Sequence, residues 1–305
     1  MNSFSTTLTS RSLKSAAAAY LALGVGMISL GFSAIFVRWA NAPGAVTSFY
    51  RMAIAVVLMA APFWSRFRRR RGVPRRELLV AVWGGLLFAG DLAFWTTGVV
   101  LSGATNPTLL ANTAPLWVGL GALLIFREKL SAAFWLGLLL AISGAVVILG
   151  LDTLRGASLG VGTLLGLLAG LFYGGYFLTT QRGRQTLDTF TYFWLAALSS
   201  AVALLIISLL LRQPLTGYSP RTYLNFLALG VVTQVCGYLA ISYALGHLPA
   251  SIVSPTLLGQ PVITAVLAGP LLGEQLSGWQ IAGGMAVLAG VYVVHRSRIG
   301  RIHVE

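Results

Sequence analysis

Ten apolar runs, each long enough to cross a lipid bilayer, dictate what this chain can become. A spanning helix needs roughly 20 apolar residues. Runs of that kind cover 17–40, 44–64, 77–98, 105–126, 131–150, 158–181, 188–211, 220–246, 250–270 and 277–295. The connections are short and carry turn chemistry: Asn41-Ala-Pro43-Gly44, Ser102-Gly103, Asp152 to Gly156, Pro214 to Pro220 and His247-Leu-Pro249. They leave no room for a soluble domain. Backbone polar groups inside a bilayer must be satisfied within each segment, so the runs are expected to be helices. Composition agrees: of 305 residues, 57% are hydrophobic and 9% charged, against about a quarter charged in soluble domains. The first run follows Arg11 and Lys14 as a signal peptide would, but its length and the spans that follow at once mark a retained first helix.

The formal charge of +14 invites a nucleic-acid partner, but its distribution argues against one. Seven of the 21 Lys and Arg residues lie in the stretch SRFRRRRGVPRR between two apolar runs, the pattern of a cytoplasmic loop. With the N-terminus inside, the inner segments hold 16 basic residues. The outer segments hold four (Arg38, Arg155, Arg212 and Arg221), and Arg51 lies within the second run. The expectation is a multi-pass plasma (inner) membrane protein with both termini cytoplasmic, its partners a small-molecule substrate and the lipid bilayer. A monomer and a homodimer fit equally. The lone cysteine, Cys236, excludes an internal disulfide and any Cys-based metal site, and no cofactor is expected.

The stretch ALLIFREKLS at 122–131 returns as AGPLLGEQLS at 268–277, and each Glu-x-Leu-Ser lies thirteen residues after a proline. Under the same shift of 146 positions Ala104, Pro115, Ala122, Glu128, Leu130, Ser131, Gly137 and Gly144 fall on identical residues. The repeat unit is five helices, and because five is odd the second unit enters the membrane inverted. The expected organisation is a tail (1–15), a first repeat (16–150), a second repeat (157–296) and a tail (297–305). All-α inverted repeats around a central cavity are typical of secondary transporters.

The doubled Pro-x12-Glu-x-Leu-Ser pattern, over about residues 16–296, resembles the drug/metabolite transporter superfamily, in particular its ten-helix carriers with two EamA-type repeats. The resemblance implies an exporter of amino acids and other small metabolites, with a central cavity between the halves. A looser resemblance is to the aromatic-amino-acid exporter branch.

The candidate site residues follow from the cost of polarity in a bilayer. Asp91 lies mid-span in helix 3, where a carboxylate is expensive and seldom idle. Arg51 reaches a similar depth on helix 2. One expectation is therefore a structural Arg51–Asp91 ion pair; the other is that Asp91 binds a substrate ammonium or a coupling proton. Phe88, Asp91 and Trp95 share a helical face by their spacing of three and four, offering an aromatic wall with one carboxylate. Tyr173, Tyr176 and Phe177 on helix 6 and Tyr238 and Tyr243 on helix 8 are similar candidates; the alternative for all of them is packing or lipid contact. Pro115 and Pro261, expected to kink helices 4 and 9, and the nearby Asn112 and Gln260 are candidate cavity-lining groups. Gly162, Gly166, Gly170 and Gly174 form a smooth stripe suited to close helix packing. Glu128 and Glu274 precede the helix-capping residues Ser131 and Ser277, where a structural role is expected.

Absences complete the reading. There is no GxxxxGK[ST], the lysines are Lys14 and Lys129 alone, and His247, His295 and His303 lie at helix ends or in the tail. No catalytic set is visible, so the chain reads as an exporter of small metabolites, most of all amino acids, rather than an enzyme. Its rivals are an exporter of cationic drugs and, with less support, a membrane enzyme acting on a lipid or isoprenoid.

Overall fold

The structure, a computed structural model, describes residues 3–69, 72–102, 110–149, 161–272 and 277–302. Each of the ten apolar runs coincides with helix there, and every described element is helical. Helix α1 comprises Ser3–Gly31 and Ser33–Ala40. It is followed by α2 (Gly44–Arg69), α3 (Arg75–Ser102), α4 (whose described part ends in Ala114–Leu124) and α5 (Ala132–Leu149). The second half holds α6 (Val161–Arg184) and α7 (Thr189–Leu210). In α8, Pro220–Ala228 leads into the π-wound stretch Leu229–Tyr238 and then Leu239–Ala244. In α9, Ala250–Thr256 is joined to Gln260–Leu272 by the 3-10 turn Leu257–Gly259, and α10 is Gly278–Ile302. Seven of the described helical stretches are long and apolar enough to cross a membrane. Large apolar side chains such as Leu124, Leu210 and Val57 are more than 70% exposed, as a lipid-facing surface requires.

The helix contacts fall into symmetric pairs. The packing of α3 on α6 is matched by α8 on α1, that of α3 on α7 by α8 on α2, and that of α4 on α6 by α9 on α1; α2 on α7, α4 on α9 and α5 on α10 map onto themselves. The α5–α10 seam shows the inversion directly. A Cβ on Gly137 would lie 2.9 Å from the Gly290 carbonyl, and one on Gly144 would lie 2.5 Å from the Gly283 carbonyl. One index rises as the other falls, so the helices are antiparallel, and the 146-residue shift turns each contact into the other. Capping repeats as well: Ser131 Oγ accepts from the Phe134 N–H at 3.3 Å and Ser277 Oγ from the Gln280 N–H at 3.2 Å. Serine hydroxyls at these positions satisfy first-turn donors that the helix leaves open.

The prolines correct one expectation. Pro115 and Pro261 do not kink continuous helices: each is the second residue of a new helical segment, Ala114–Leu124 or Gln260–Leu272. A proline lacks only an N–H that a first turn leaves unpaired anyway, so this is where it is least costly. The break precedes it, as a turn at Asn112–Thr113 and as the 3-10 turn Leu257–Gly259. Spans four and nine are thus interrupted at repeat-related places.

Candidate functional site

The centre of the molecule is built where α3, α6 and α8 meet α2. Phe88 stacks on Tyr176 with ring centroids 4.5 Å apart and lies 4.8 Å from Tyr238. Tyr173 packs on Phe177 at 4.5 Å, and its hydroxyl lies 3.0 Å from that of Tyr238. Five of the candidate aromatic residues therefore form one cluster, Phe88, Tyr176, Phe177 and Tyr238 buried and Tyr173 partly so. Trp95, half-buried, lies one turn beyond Asp91 on α3. Tyr243 packs against the same core, but its ring meets His247 at 4.4 Å rather than these five, because it projects five residues further along α8 toward the helix end.

Asp91 is 7% exposed and close enough to Tyr173 and Tyr238 for its charge to act on both. Arg51 is 6% exposed and lies within reach of the Asp91 charge. The expected direct ion pair is absent: among the described residues no nitrogen of Arg51 comes within 4.0 Å of the Asp91 carboxylate. Instead Arg51 Nε donates to Gln234 Oε1 at 2.8 Å, Nη1 to Ser33 Oγ at 3.5 Å, and the guanidinium lies 5.0 Å over the Tyr238 ring. The physical reason is the fold of α8, whose π-wound stretch carries both Gln234 and Tyr238 to the arginine. A planar cation that stacks on an aromatic face and bonds a neutral amide is stabilised without surrendering its charge. Gln234 was not among the candidates, although the rule that flags Asp91, a strongly polar residue mid-span, flags it too.

Beside this cluster, the two helix breaks face each other across a recess of about 20 Å³, room for one water molecule. Asn112 and Pro115 line it from α4, Tyr173 and Phe177 from α6, and Ser254 and Gln260 from α9. Gln260 is partly engaged, its Nε2 donating to the Leu30 carbonyl at the break in α1 at 3.2 Å. Ser254 Oγ is buried without a hydrogen-bond partner, a condition that in a folded interior calls for an explanation. The glycine stripe of α6 packs against the α4 break: Gly170 faces the Leu110 carbonyl and Gly174 the Ala114 carbonyl.

At one end of the bundle the halves are tied by polar contacts. Glu128 Oε2 accepts from Arg298 Nη2 at 2.5 Å and from Ser251 Oγ at 2.6 Å, with the charged side chains 16% and 13% exposed. Thr256 Oγ1 lies 2.8 Å from His295 Nε2 close by. Glu128 belongs to the first half, Ser251 and Arg298 to the second. Glu274, its repeat partner, lies outside the described residues. Among the described residues no group of metal-ligating side chains occurs.

The profile of the EamA-like transporter family matches residues 17–150 and 160–296. The chain belongs to that family. Among its relatives is an "Uncharacterized transporter" of Archaeoglobus fulgidus, 27% identical over 81% of this chain and 86% of the relative. A "Probable amino-acid metabolite efflux pump" of Salmonella typhimurium is 30% identical over 58% of this chain and 62% of its own length. A "Probable terminal-alkyne amino-acid exporter" of Streptantibioticus cattleyicolor is 24% identical over 82% of each chain. A solved structure with a TM-score of 0.75, at 18% identity over 90% of this chain and 96% of that one, shares the fold. This EamA-like transporter is accordingly a multi-pass membrane protein whose two halves enclose an aromatic centre with two buried ionisable side chains, Arg51 and Asp91.

Proposed function

We propose that this EamA-like transporter exports amino acids across a bacterial-type inner membrane by alternating access, and performs no chemical step. The observation that carries the reading is the centre itself: a tyrosine-rich cluster with Asp91 and Arg51, assembled from both inverted halves. Two relatives named for amino-acid export support it. A second reading, export of organic cations, draws on Asp91 alone. Counterflow of radiolabelled amino acids into vesicles holding the purified protein tests the first; exchange of organic cations with no amino acid carried would favour the second.

The orientation is part of the proposal, with both termini cytoplasmic. In a background with Cys236 replaced by alanine, a cysteine at the exposed Thr216 is expected to react with an impermeant maleimide from outside, and one at the exposed Gln185 from inside. The reverse pattern at either position would refute the topology.

The broken spans supply the moving parts. Prolines that begin helical segments keep the preceding turns from being absorbed into a continuous helix. Pro115→Ala and Pro261→Ala restore an N–H and allow the helix to run through, so each is expected to slow turnover more than it weakens substrate binding. Binding and transport measured on the same purified variants decide it, and parent-like turnover in both would move the hinge elsewhere.

A further inference from the structure

The two buried ionisable side chains at the centre do not pair with each other: Arg51 bonds Gln234 and Ser33 instead. Among the described residues no donor hydrogen-bonds the Asp91 carboxylate, although the residue is 7% exposed. An open carboxylate inside a membrane protein is costly enough that a cationic partner is to be sought for it. Arg51 is held by neutral partners alone. Its Nε donates to Gln234 Oε1 at 2.8 Å, its Nη1 lies 3.5 Å from Ser33 Oγ, and its guanidinium sits against the Tyr238 side chain. The neutral Gln234 fixes the guanidinium in position and leaves its positive charge uncancelled. Had Asp91 taken the place of Gln234, the site would be neutral and closed.

We infer that Arg51 and Asp91 are the two poles of a binding site for a zwitterionic α-amino acid, its carboxylate on Arg51 and its ammonium on Asp91. The inference rests on the amino-acid reading above and names the groups that would enforce it. An α-amino acid carries both charges about a single carbon, so it can answer neighbouring fixed charges that do not touch. A simple amine would satisfy Asp91 and be repelled by Arg51; a simple acid would do the opposite. Specificity thus includes a repulsive element against each singly charged analogue. The poles come from α2 and α3 in the first half, while Tyr173 and Tyr238, with hydroxyls 3.0 Å apart, come from the second. The site is complete only when the halves meet, and parting the two tyrosines opens it. The recess beside the cluster, walled by Pro115, Phe177, Leu257 and Leu258, has room for one water in this form and would take an apolar side chain only once the halves part.

The test uses full-length protein purified in detergent, with ligand-induced thermal stabilisation as the readout. Leucine is compared with 3-methylbutylamine and 4-methylpentanoate, and phenylalanine with phenethylamine and 3-phenylpropanoate. At least one of the two amino acids is expected to bind about tenfold or more tightly than both of its singly charged analogues, since each analogue forfeits a charge-assisted contact. Asp91→Asn should erase the preference over the acid, and Arg51→Gln the preference over the amine. Where Arg51→Gln does not fold, Arg51→Lys keeps the charge without the fork and should weaken the amino acid about tenfold while preserving its advantage over the amine. Amine and amino acid binding alike in the parent, or variants that keep the parent's preferences, would overturn the inference. Counterflow of amino acids that persists with those preferences unchanged condemns only the assignment of the poles. Vesicles that carry the amines and no amino acid condemn the amino-acid reading as well.

Discussion

Gly144→Leu and Gly283→Leu are each expected to abolish recovery of folded transporter. A Cβ on Gly144 would stand 2.5 Å from the Gly283 carbonyl oxygen and 2.6 Å from the Val287 nitrogen, and one on Gly283 would stand 2.7 Å from the Gly144 carbonyl oxygen. These are backbone atoms of a neighbouring helix and cannot swing aside as a side-chain tip can. Insertion therefore forces α5 and α10 apart along the whole seam, where Phe134, Leu138, Ala141, Val287 and Val294 are now fully buried. In a bilayer no hydrophobic effect presses the helices back together, so lost van der Waals contact is lost stability. A single added methyl, Gly144→Ala, is expected to cost about 1–3 kcal/mol, within the range for overpacking. A leucine exceeds that and consumes much of a margin that is only about 5–15 kcal/mol in folded proteins generally. Gly24→Ala is the control, because a Cβ there meets nothing within 4 Å. Size-exclusion profiles and thermal midpoints of the detergent-solubilised variants provide the measurement. Monodisperse Gly144→Leu at the parent yield would show that the seam does not hold the halves together.

The comparison of Gly24 with Gly170 shows where sequence reasoning stops. The two are related by the 146-residue shift, yet a Cβ on Gly170 would come 2.7 Å from the Leu110 carbonyl while Gly24 has open space. A repeat transmits backbone architecture, because each half must bury its helices in the same way; it does not transmit every side-chain neighbour. The spans were legible because a bilayer imposes run length, and the aromatic cluster because helical spacing puts Phe88 with Asp91 and Tyr173 with Tyr176 and Phe177 on common faces. Partner choice was not. Arg51 and Gln234 are 183 positions apart and Glu128 and Arg298 are 170 apart, so their meeting depends on how the halves cross. A carboxylate read at Glu128 as a neighbour of a helix N-terminus is in fact an inter-half tie. The π winding of Leu229–Tyr238 left no local mark either: LGVVTQVCGY contains no proline, and nothing in it separates a π turn from an α turn.

That inter-half tie sets the second large effect, a shift in the balance between conformations. In the orientation proposed above Glu128, Ser251 and Arg298 lie at the cytoplasmic end, so their contacts would hold that end shut. The pair is mostly buried, and removing one partner of a buried ion pair strands the other's charge at a cost of about 3–5 kcal/mol. The residual exposure of 16% and 13% lets water reclaim part of this, which leaves roughly 1–3 kcal/mol, or about fivefold to 150-fold in the ratio of closed to open forms. The cost falls only on the closed form, since an open end hydrates both groups. Ser254, 2% exposed on the recess wall, reports the change. In the Cys236→Ala background, a cysteine at Ser254 is expected to react with an impermeant maleimide from the cytoplasmic side about fivefold faster or more once Glu128→Gln or Arg298→Gln is added. The exchange Glu128→Arg with Arg298→Glu should return the rate toward the parent, because it restores attraction across the same gap. If both single substitutions leave labelling and transport at the parent rate, the pair is a static brace and the cytoplasmic gate lies elsewhere.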